Sequence, residues 1–136
     1  MFKVAGIDHL VLRTANKASL LEFYIEVLGC EIERETSPEL GLTQLRAGSA
    51  LIDIVAVDSQ LGEIGGPAPV KTGNNLDHFC LLLEPTSEED IRAHLEDHGV
   101  PVGDFASRYG AEGQGQSVYL EDPDGNVVEL RARKTT

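Results

Sequence analysis

The residues most able to do chemistry in this sequence are two histidines and two carboxylates in recurring surroundings. His9 and His78 each follow an aspartate at the start of an apolar stretch, and Asp53 and Glu129 each interrupt a run of apolar residues. A lone acid among β-branched neighbours is costly to bury unless a positive charge compensates it. Two imidazoles with one or two carboxylates form a common ligand set for Zn, Ni, Mn, Co or Fe(II). These residue types therefore predict a site for one divalent metal ion.

The alternation of side chains along a strand predicts which way these residues point. Each of the four polar residues should share a strand face with the apolar residues two positions away. If the two halves of the chain close around a pseudo-twofold axis, all four side chains can point into one cavity. By the same alternation, Asp8 and Asp77 should point away from the adjacent histidines, so we expect neither to be their partner.

The elements that must position these residues occur twice along the chain, since 76–81 repeats the pattern of 7–12. In the first half, the apolar residues of 19–28 have helical spacing, and Gly29 follows where a helix C-terminus favours a left-handed residue. Strands are then predicted at 31–35, 41–47 and 50–57, with a hairpin turn at Gly48-Ser49.

The second half follows the same order. After the strand at 76–81, the capping box Thr86-x-x-Glu89 should start a helix that ends near Gly99. A loop is expected over 103–115, followed by strands at 117–120 and 127–130. Each half is thus predicted to be a strand, a helix and then further strands. The Gly- and Pro-rich segment 58–75 is predicted to link the two halves.

Composition and charge exclude several classes of function. The 136 residues include 11 Lys and Arg against 23 Asp and Glu, which gives a formal net charge of −12. Phosphate backbones repel so acidic a chain, so we expect no nucleic-acid partner. No apolar run approaches the roughly 18 residues of a membrane span, so we expect no membrane association. Cys30 and Cys80 lack CxxC spacing, which fits a reducing, cytoplasmic setting.

Four stretches of the chain resemble the vicinal oxygen chelate superfamily, which includes glyoxalase I, fosfomycin-resistance thiol transferases, extradiol dioxygenases and bleomycin-resistance proteins. The stretches are Ile7-Asp8-His9, Phe23-Tyr24-x-x-x-Leu28-Gly29, Leu76-Asp77-His78 and, most specific, Leu120-Glu-Asp-Pro-Asp-Gly-Asn-Val-Val-Glu129-Leu130. The resemblance implies that residues 1–136 form a single α+β domain. It would consist of two βαββ modules, at about 4–57 and 74–133, in a pseudo-twofold arrangement that forms a curved mixed sheet.

The resemblance also implies roles for the chemically active residues. His9, His78 and Glu129 match the family's three most regular metal ligands. Asp53 matches a fourth ligand of glyoxalase I, a glutamate that also moves protons. Aspartate is one methylene shorter, so Asp53 would bind through a water or leave a coordination position open. Glu129 and Asp53 are the candidate bases for a glyoxalase-like isomerisation, in which a proton leaves one carbon beside a carbonyl and returns to its neighbour.

Three further residues are candidates for binding the substrate. Arg13 matches a glyoxalase I arginine that holds the carboxylate of glutathione, but Val57 stands where that enzyme has an asparagine for glutathione. The glutathione site is therefore only half matched. Arg108 and Tyr109 lie in the expected loop 103–115, which is either a lid that supplies a cation to an anionic substrate or a solvated loop.

The sequence thus predicts a cytoplasmic lyase or isomerase of the glyoxalase type that depends on one divalent metal ion, Zn, Ni, Mn or Fe(II). It would act on a small oxygen-rich substrate and form a homodimer. Two alternatives stay open: an Fe(II)-dependent extradiol-type dioxygenase with the same ligands, and a non-enzymatic drug-binding protein of the bleomycin-resistance type. The net charge of −12 would suit a cationic drug. Modules of this family pair within one chain or between two chains, and the sequence leaves both arrangements open.

Overall fold

The computed structural model describes residues 1–135. The chain divides into two compact units, Met1–Val70 and Lys71–Thr136, and each has its own mixed sheet and its own buried core. Among the helices of residues 1–135, none is both long and apolar enough to cross a membrane.

The first unit is a strand, a helix and three further strands. Its elements are β1 (His9–Thr14), α1 (Lys17–Glu22) continued by a π-helical segment (Phe23–Val27), β2 (Glu31–Glu35), β3 (Leu42–Ala47), β4 (Ala50–Ala56) and the short α2 (Gln60–Glu63). The sheet order is β1-β4-β3-β2, with β1 parallel to β4 and the other pairs antiparallel. Its core comprises the buried side chains of Leu20, Tyr24, Leu45, Ile52 and Ile54.

The first helix differs in detail from the single helix predicted over 19–28. It begins at Lys17 because the Asn16 side chain accepts a hydrogen bond from the Ser19 N–H at 3.1 Å. At Phe23 it widens into the π-helical segment. Two consecutive aromatic residues, Phe23 and Tyr24, begin this segment, and both are buried with their ring centroids 5.3 Å apart in an edge-to-face arrangement.

The second unit repeats the order of the first. Its elements are β5 (His78–Leu83), α3 (Glu88–Asp97), β6 (Ala106–Gly110), β7 (Gly113–Glu121) and β8 (Val127–Ala132). The sheet order is β5-β8-β7-β6, again with one parallel pair, β5 and β8, and otherwise antiparallel neighbours. The buried residues of this unit include Ile91, Leu95, Val118, Val128 and Leu130. The predicted α+β fold of two βαββ modules is confirmed. Each unit has four strands, and only β6 lies where no strand was predicted.

Two segments expected to lack regular structure are ordered elements. Segment 103–115, predicted to be a loop, contains β6 and the start of β7, which pair from Ala106 opposite Ser117 to Gly110 opposite Gly113. The predicted linker 58–75 contains α2. The Ser59 hydroxyl, which accepts a hydrogen bond from a backbone N–H at 3.1 Å, caps the N-terminus of that helix.

The capping residue of α3 is Ser87, and the capping box predicted at Thr86 is wrong by one position. The Ser87 hydroxyl accepts a hydrogen bond from the backbone N–H of Asp90 at 3.1 Å. Three acidic residues follow in the first turn, at the positive end of the helix dipole. As predicted, the helix ends before Gly99, whose φ of +70° favours glycine.

Replacing Ser87 by Ala should lower the free energy of unfolding by about 1 kcal/mol, because the N–H of Asp90 loses its hydrogen-bond acceptor. The matched variant Thr86→Ala, one residue earlier, should change it by less than about 0.5 kcal/mol. Urea denaturation followed by circular dichroism measures both values. The reverse order of effects would show that the helix begins at Thr86.

Candidate metal site

Both units place their histidine and carboxylate at the same relative positions in the sheet. In the first unit, His9 lies two residues before the position on β1 that pairs with Asp53 of β4. In the second unit, His78 lies two residues before the position on β5 that pairs with Glu129 of β8. The repeat detected in the sequence is therefore also a repeat of sheet register.

The second unit brings an imidazole and a carboxylate into direct contact. His78 Nε2 lies 3.1 Å from Glu129 Oε1, and the Glu129 side chain is only 8% exposed. The other ring nitrogen, Nδ1, lies 2.7 Å from Asp77 Oδ2. The hydrogen bond to Asp77 is the main cause that raises the pKa of His78, and the nearby Glu129 charge adds to it. His78 is thus an imidazole held between two carboxylates.

The contacts of the two aspartates correct the expectation that they point away from the histidines. Asp8 Oδ1 lies 2.6 Å from His9 Nδ1, as Asp77 does from His78. Each strand begins at the histidine itself, so the aspartate before it lies outside the strand and the alternation of faces does not apply to it. The hydrogen bond to Asp8 raises the pKa of His9. Both aspartates can therefore orient their histidines through Nδ1.

Asp53 is a buried carboxylate held by an amide. Gln44 Nε2 donates to the two carboxylate oxygens of Asp53 at 3.2 and 3.1 Å. Gln44 lies directly opposite Asp53 because the turn at Gly48-Ser49 sets the register of β3 and β4. Asp53 also acts on His9 through its charge and raises the pKa of that histidine. The sequence analysis missed Gln44, although counting back from the predicted turn would have found it.

An aromatic ring connects His78 to one of the predicted substrate-binding residues. Tyr119 lies opposite Glu129 on β7, and its ring packs edge to face on the His78 imidazole, with centroids 5.1 Å apart. The Arg108 guanidinium lies 4.4 Å above the Tyr119 ring, and its Nη1 donates to the carbonyl of Ser117 at 2.7 Å. Arg108 therefore belongs to the same face of the sheet as His78. No sequence signal singled out Tyr119.

The other two predicted substrate-binding residues differ in environment. Tyr109 is exposed and lines a cleft of the second unit together with His78 and Glu129. Arg13 donates from Nη2 to the carbonyl oxygen of Gly62 at 2.9 Å and makes further bonds to the carbonyls of Gly66 and Pro67. Its guanidinium holds the segment that follows β4. A substrate-binding role for Arg13 stays a prediction.

Cys80 completes the side chains around Glu129. Cys80 is an exposed residue, but partial burial of its thiol raises its pKa to about 11, and the Glu129 charge acts in the same direction. Cys80 is therefore a neutral thiol at physiological pH.

Within residues 1–135, no three His, Cys, Asp or Glu side chains lie close enough together to hold a metal ion.

Comparison with known proteins identifies the family. Residues 6–130 match the model of the Glyoxalase/Bleomycin resistance protein/Dioxygenase superfamily. The chain belongs to this superfamily. The resemblance seen in the sequence is thereby confirmed, and the superfamily includes both enzymes and proteins that only bind small molecules.

Three known proteins show what the chain is similar to. The chain is 27% identical over 128 residues to the catechol-2,3-dioxygenase of Bacillus subtilis, covering 93% of this chain but only 40% of that protein. An integron cassette protein from the V. cholerae mobile metagenome has a TM-score of 0.75 at 27% identity, over 98% of this chain and 99% of that one. Lactoylglutathione lyase from Agrobacterium tumefaciens shares the fold, with a TM-score of 0.63 at 18% identity, over 95% of this chain and 94% of that one.

Replacing Asp77 by Asn should lower the pKa of His78 in the metal-free protein, because the hydrogen bond to the carboxylate is the main cause that raises it. NMR titration of the imidazole Cε1–H measures this pKa. The matched variant Asp8→Asn should lower the pKa of His9 and leave that of His78 unchanged.

The sign of the stability effect follows from the raised pKa. The Asp77–His78 pair stabilises the folded protein below the ordinary histidine pKa of about 6.5. This contribution is lost as the pH rises through the higher pKa of the folded state. An unaltered His78 titration in Asp77→Asn would show that Asp77 does not hold the imidazole.

Proposed function

We propose that this protein is a divalent-metal-dependent lyase or isomerase of the glyoxalase type, acting on a small oxygen-rich substrate. The main support is the His78–Glu129 pair, a nitrogen and a carboxylate oxygen 3.1 Å apart, with Nδ1 of the imidazole held by Asp77. A ligating histidine commonly has a carboxylate on its other ring nitrogen, which fixes the ring orientation. His9 is proposed as the third ligand, since it occupies the equivalent strand position and has the same aspartate partner.

The chemistry of this donor set fits a divalent cation. Glu129 is a carboxylate buried in an apolar sheet and needs a positive charge nearby, which His78 supplies when it is protonated. A bound cation would replace the proton of the imidazole and compensate the same carboxylate. Imidazole and carboxylate ligands suit Zn, Ni, Mn and Fe(II). A metal of this kind supplies Lewis acidity toward two adjacent oxygens of the substrate.

The remaining residues of the site would bind the substrate and move a proton. Asp53 and Glu129 are the proposed bases, and the two hydrogen bonds from Gln44 keep the Asp53 carboxylate in one orientation. A base in this role takes a proton from the carbon beside a carbonyl and returns it to the neighbouring carbon. Tyr119, whose ring packs between His78 and Arg108, would keep the imidazole in position.

A second candidate function is an Fe(II)-dependent dioxygenase with the same three ligands. The similarity to a catechol-2,3-dioxygenase over 93% of this chain supports it, although the chain spans only 40% of that protein. Such an enzyme would consume O₂ with a catechol and be activated selectively by Fe(II). Full activity with Ni or Zn in the absence of oxygen, on a 2-oxoaldehyde and a small thiol, would instead support the lyase.

The second unit's proposed ligands can be tested by metal content. Wild-type protein reconstituted with Ni, Zn, Mn or Fe(II) should hold about one ion per chain, as measured by elemental analysis after dialysis. His78→Ala should lose the ion and the activity, whereas Asp77→Asn should weaken metal binding by about 10- to 100-fold. His94→Ala, which alters a histidine of α3, is the matched control and should retain both. Full metal content and activity in His78→Ala would refute the proposal.

The protein is also proposed to form a homodimer that binds small molecules, as superfamily members commonly do. The N-terminal segment supports this, because Phe2, Val4 and Ile7 all expose most of their apolar side chains. Sedimentation equilibrium should give twice the chain mass of 14.7 kDa. The triple variant Phe2→Ser, Val4→Ser, Ile7→Ser should weaken the dimer, and a wild-type mass of one chain would contradict this assignment.

A further inference from the structure

Two arginines share the sheet face of His78 and Glu129 and lack an acidic partner. Arg131 follows Glu129 by two positions on β8, and Arg108 lies over Tyr119 on the same face. Within residues 1–135, ion pairs of 4.0 Å or less involve Arg46, Arg92 and Arg133, but neither of these two arginines. In a chain with a net charge of −12, such unneutralised cations beside the proposed ligands call for an explanation.

Arg131 is a largely buried residue whose guanidinium is only partly hydrogen-bonded. The residue is 8% exposed, and its Nη2 donates to the carbonyl oxygens of Gly113 at 2.9 Å and Arg108 at 3.3 Å. In the part of the chain that the structure describes, Nη1 and Nε donate no hydrogen bond. A guanidinium has five N–H donors, and those of Nη1 and Nε are not sealed from water. Arg131 therefore has donors left for an acceptor that enters from outside the protein.

Two glycines make room for this guanidinium on the surface of the sheet. A Cβ atom added to Gly110 would lie 2.1 Å from Nη1, and one added to Gly115 would lie 2.6 Å from Nη2. Both distances are far below van der Waals contact. The β6–β7 hairpin thus carries glycine at the positions over which the guanidinium lies, and its carbonyl groups fix Nη2 in place.

Arg131 lines the same cleft as the proposed metal ligands. The cleft has a volume of about 320 Å³ and is lined by His78, Cys80, Glu129 and Arg131, among others. The one other carboxylate of the lining, Glu112, faces Arg133, with Oε2 lying 3.6 Å from Nε of that arginine. The positive charge of Arg131 is therefore available to a ligand in the cleft.

We propose that Arg131 binds a carboxylate of the substrate, so that the substrate class is a small organic acid with a second oxygen next to the carboxylate. The inference rests on the proposed function for the location of the reacting oxygens near His78 and Glu129. A charge-assisted hydrogen bond from a fixed guanidinium is stronger than a neutral one and selects for a negative charge. Arg131 would thus select the anion, close to His78 and Glu129, which line the same cleft.

The test uses two probes of the same shape that differ in charge, lactate and lactamide. Their binding to the ¹⁵N-labelled full chain is measured by NMR titration, once after removal of metal by a chelator and once after addition of Zn²⁺. Wild-type protein should bind lactate at least about tenfold more tightly than lactamide in both preparations. Arg131→Gln should lose this preference. Arg46→Gln, which removes an exposed arginine of the first unit that pairs with Glu33, is the control and should keep it.

Two further variants separate the charge from folding effects. Arg131→Lys keeps the positive charge and should retain part of the preference for lactate. Gly110→Ala keeps Arg131 but displaces Nη1, and should weaken lactate binding without affecting lactamide. The amide spectrum of each variant shows whether the fold is retained.

The outcomes distinguish this inference from the proposed function. No lactate preference in wild-type protein, or an unchanged preference in both Arg131→Gln and Gly110→Ala, would overturn the inference. Tighter binding of inorganic phosphate than of lactate would overturn the assignment to a carboxylate. If wild-type protein fails to bind Zn²⁺ but shows an Arg131-dependent preference in the chelated sample, the metal proposal fails and the acid-binding site stands. If it binds Zn²⁺ without any preference for lactate, the acid-binding site fails and the metal proposal stands.

Discussion

The central constraint on this structure is the charge of a carboxylate buried inside an apolar sheet. Glu129 lies between Val128 and Leu130, both buried, and a buried carboxylate without a compensating partner is costly to the fold. His78 supplies the compensation, and Asp77 on its other nitrogen favours the protonated ring. In the first unit the buried carboxylate is that of Asp53, and it is stabilised by hydrogen bonds from the side-chain amide of Gln44. The second unit therefore balances its carboxylate with an imidazole that can gain or lose a proton, whereas the first uses the fixed dipole of an amide.

The two faces of each sheet differ in polarity, which leaves polar residues free for a role other than packing. In the second unit, the buried apolar side chains of β7 and β8 alternate with Tyr119, Glu129 and Arg131, so the core face and the polar face of the sheet are separate. Stability comes from the apolar face, and the polar face is left to carry chemistry. The parallel pairing of β5 with β8 then fixes the offset between histidine and carboxylate, and the pairing of β1 with β4 gives the same offset in the first unit.

Much of this arrangement follows from the sequence, and the failures have local causes. The internal repeat, most of the strands and the shared face of His78 and Glu129 are all predictable, because alternation and apolar patterning are properties of the strand itself. The predicted orientation of Asp8 and Asp77 is wrong because both strands begin at the histidine, and alternation holds only inside a strand. The β6–β7 hairpin is hidden from sequence patterns because glycines usually mark irregular backbone. Gly110 and Gly115 have another purpose, to leave space for the Arg131 guanidinium, which only the three-dimensional contact reveals.

The position of the Arg131 guanidinium changes what the net charge implies about the ligand. A net charge of −12 would attract a cationic drug if all charges of the protein acted on the ligand together. At physiological ionic strength, however, exposed charges are largely screened beyond about 8 Å, whereas a partly buried group is screened much less. A ligand in the cleft would therefore be attracted mainly by the charge of Arg131, and the acidic surface would contribute little to its binding. Since lyase and dioxygenase chemistry could use the same three proposed ligands, the residues that would make this chain specific are those that contact the rest of the substrate. Arg131, held by backbone carbonyls instead of a carboxylate, keeps its charge for that contact.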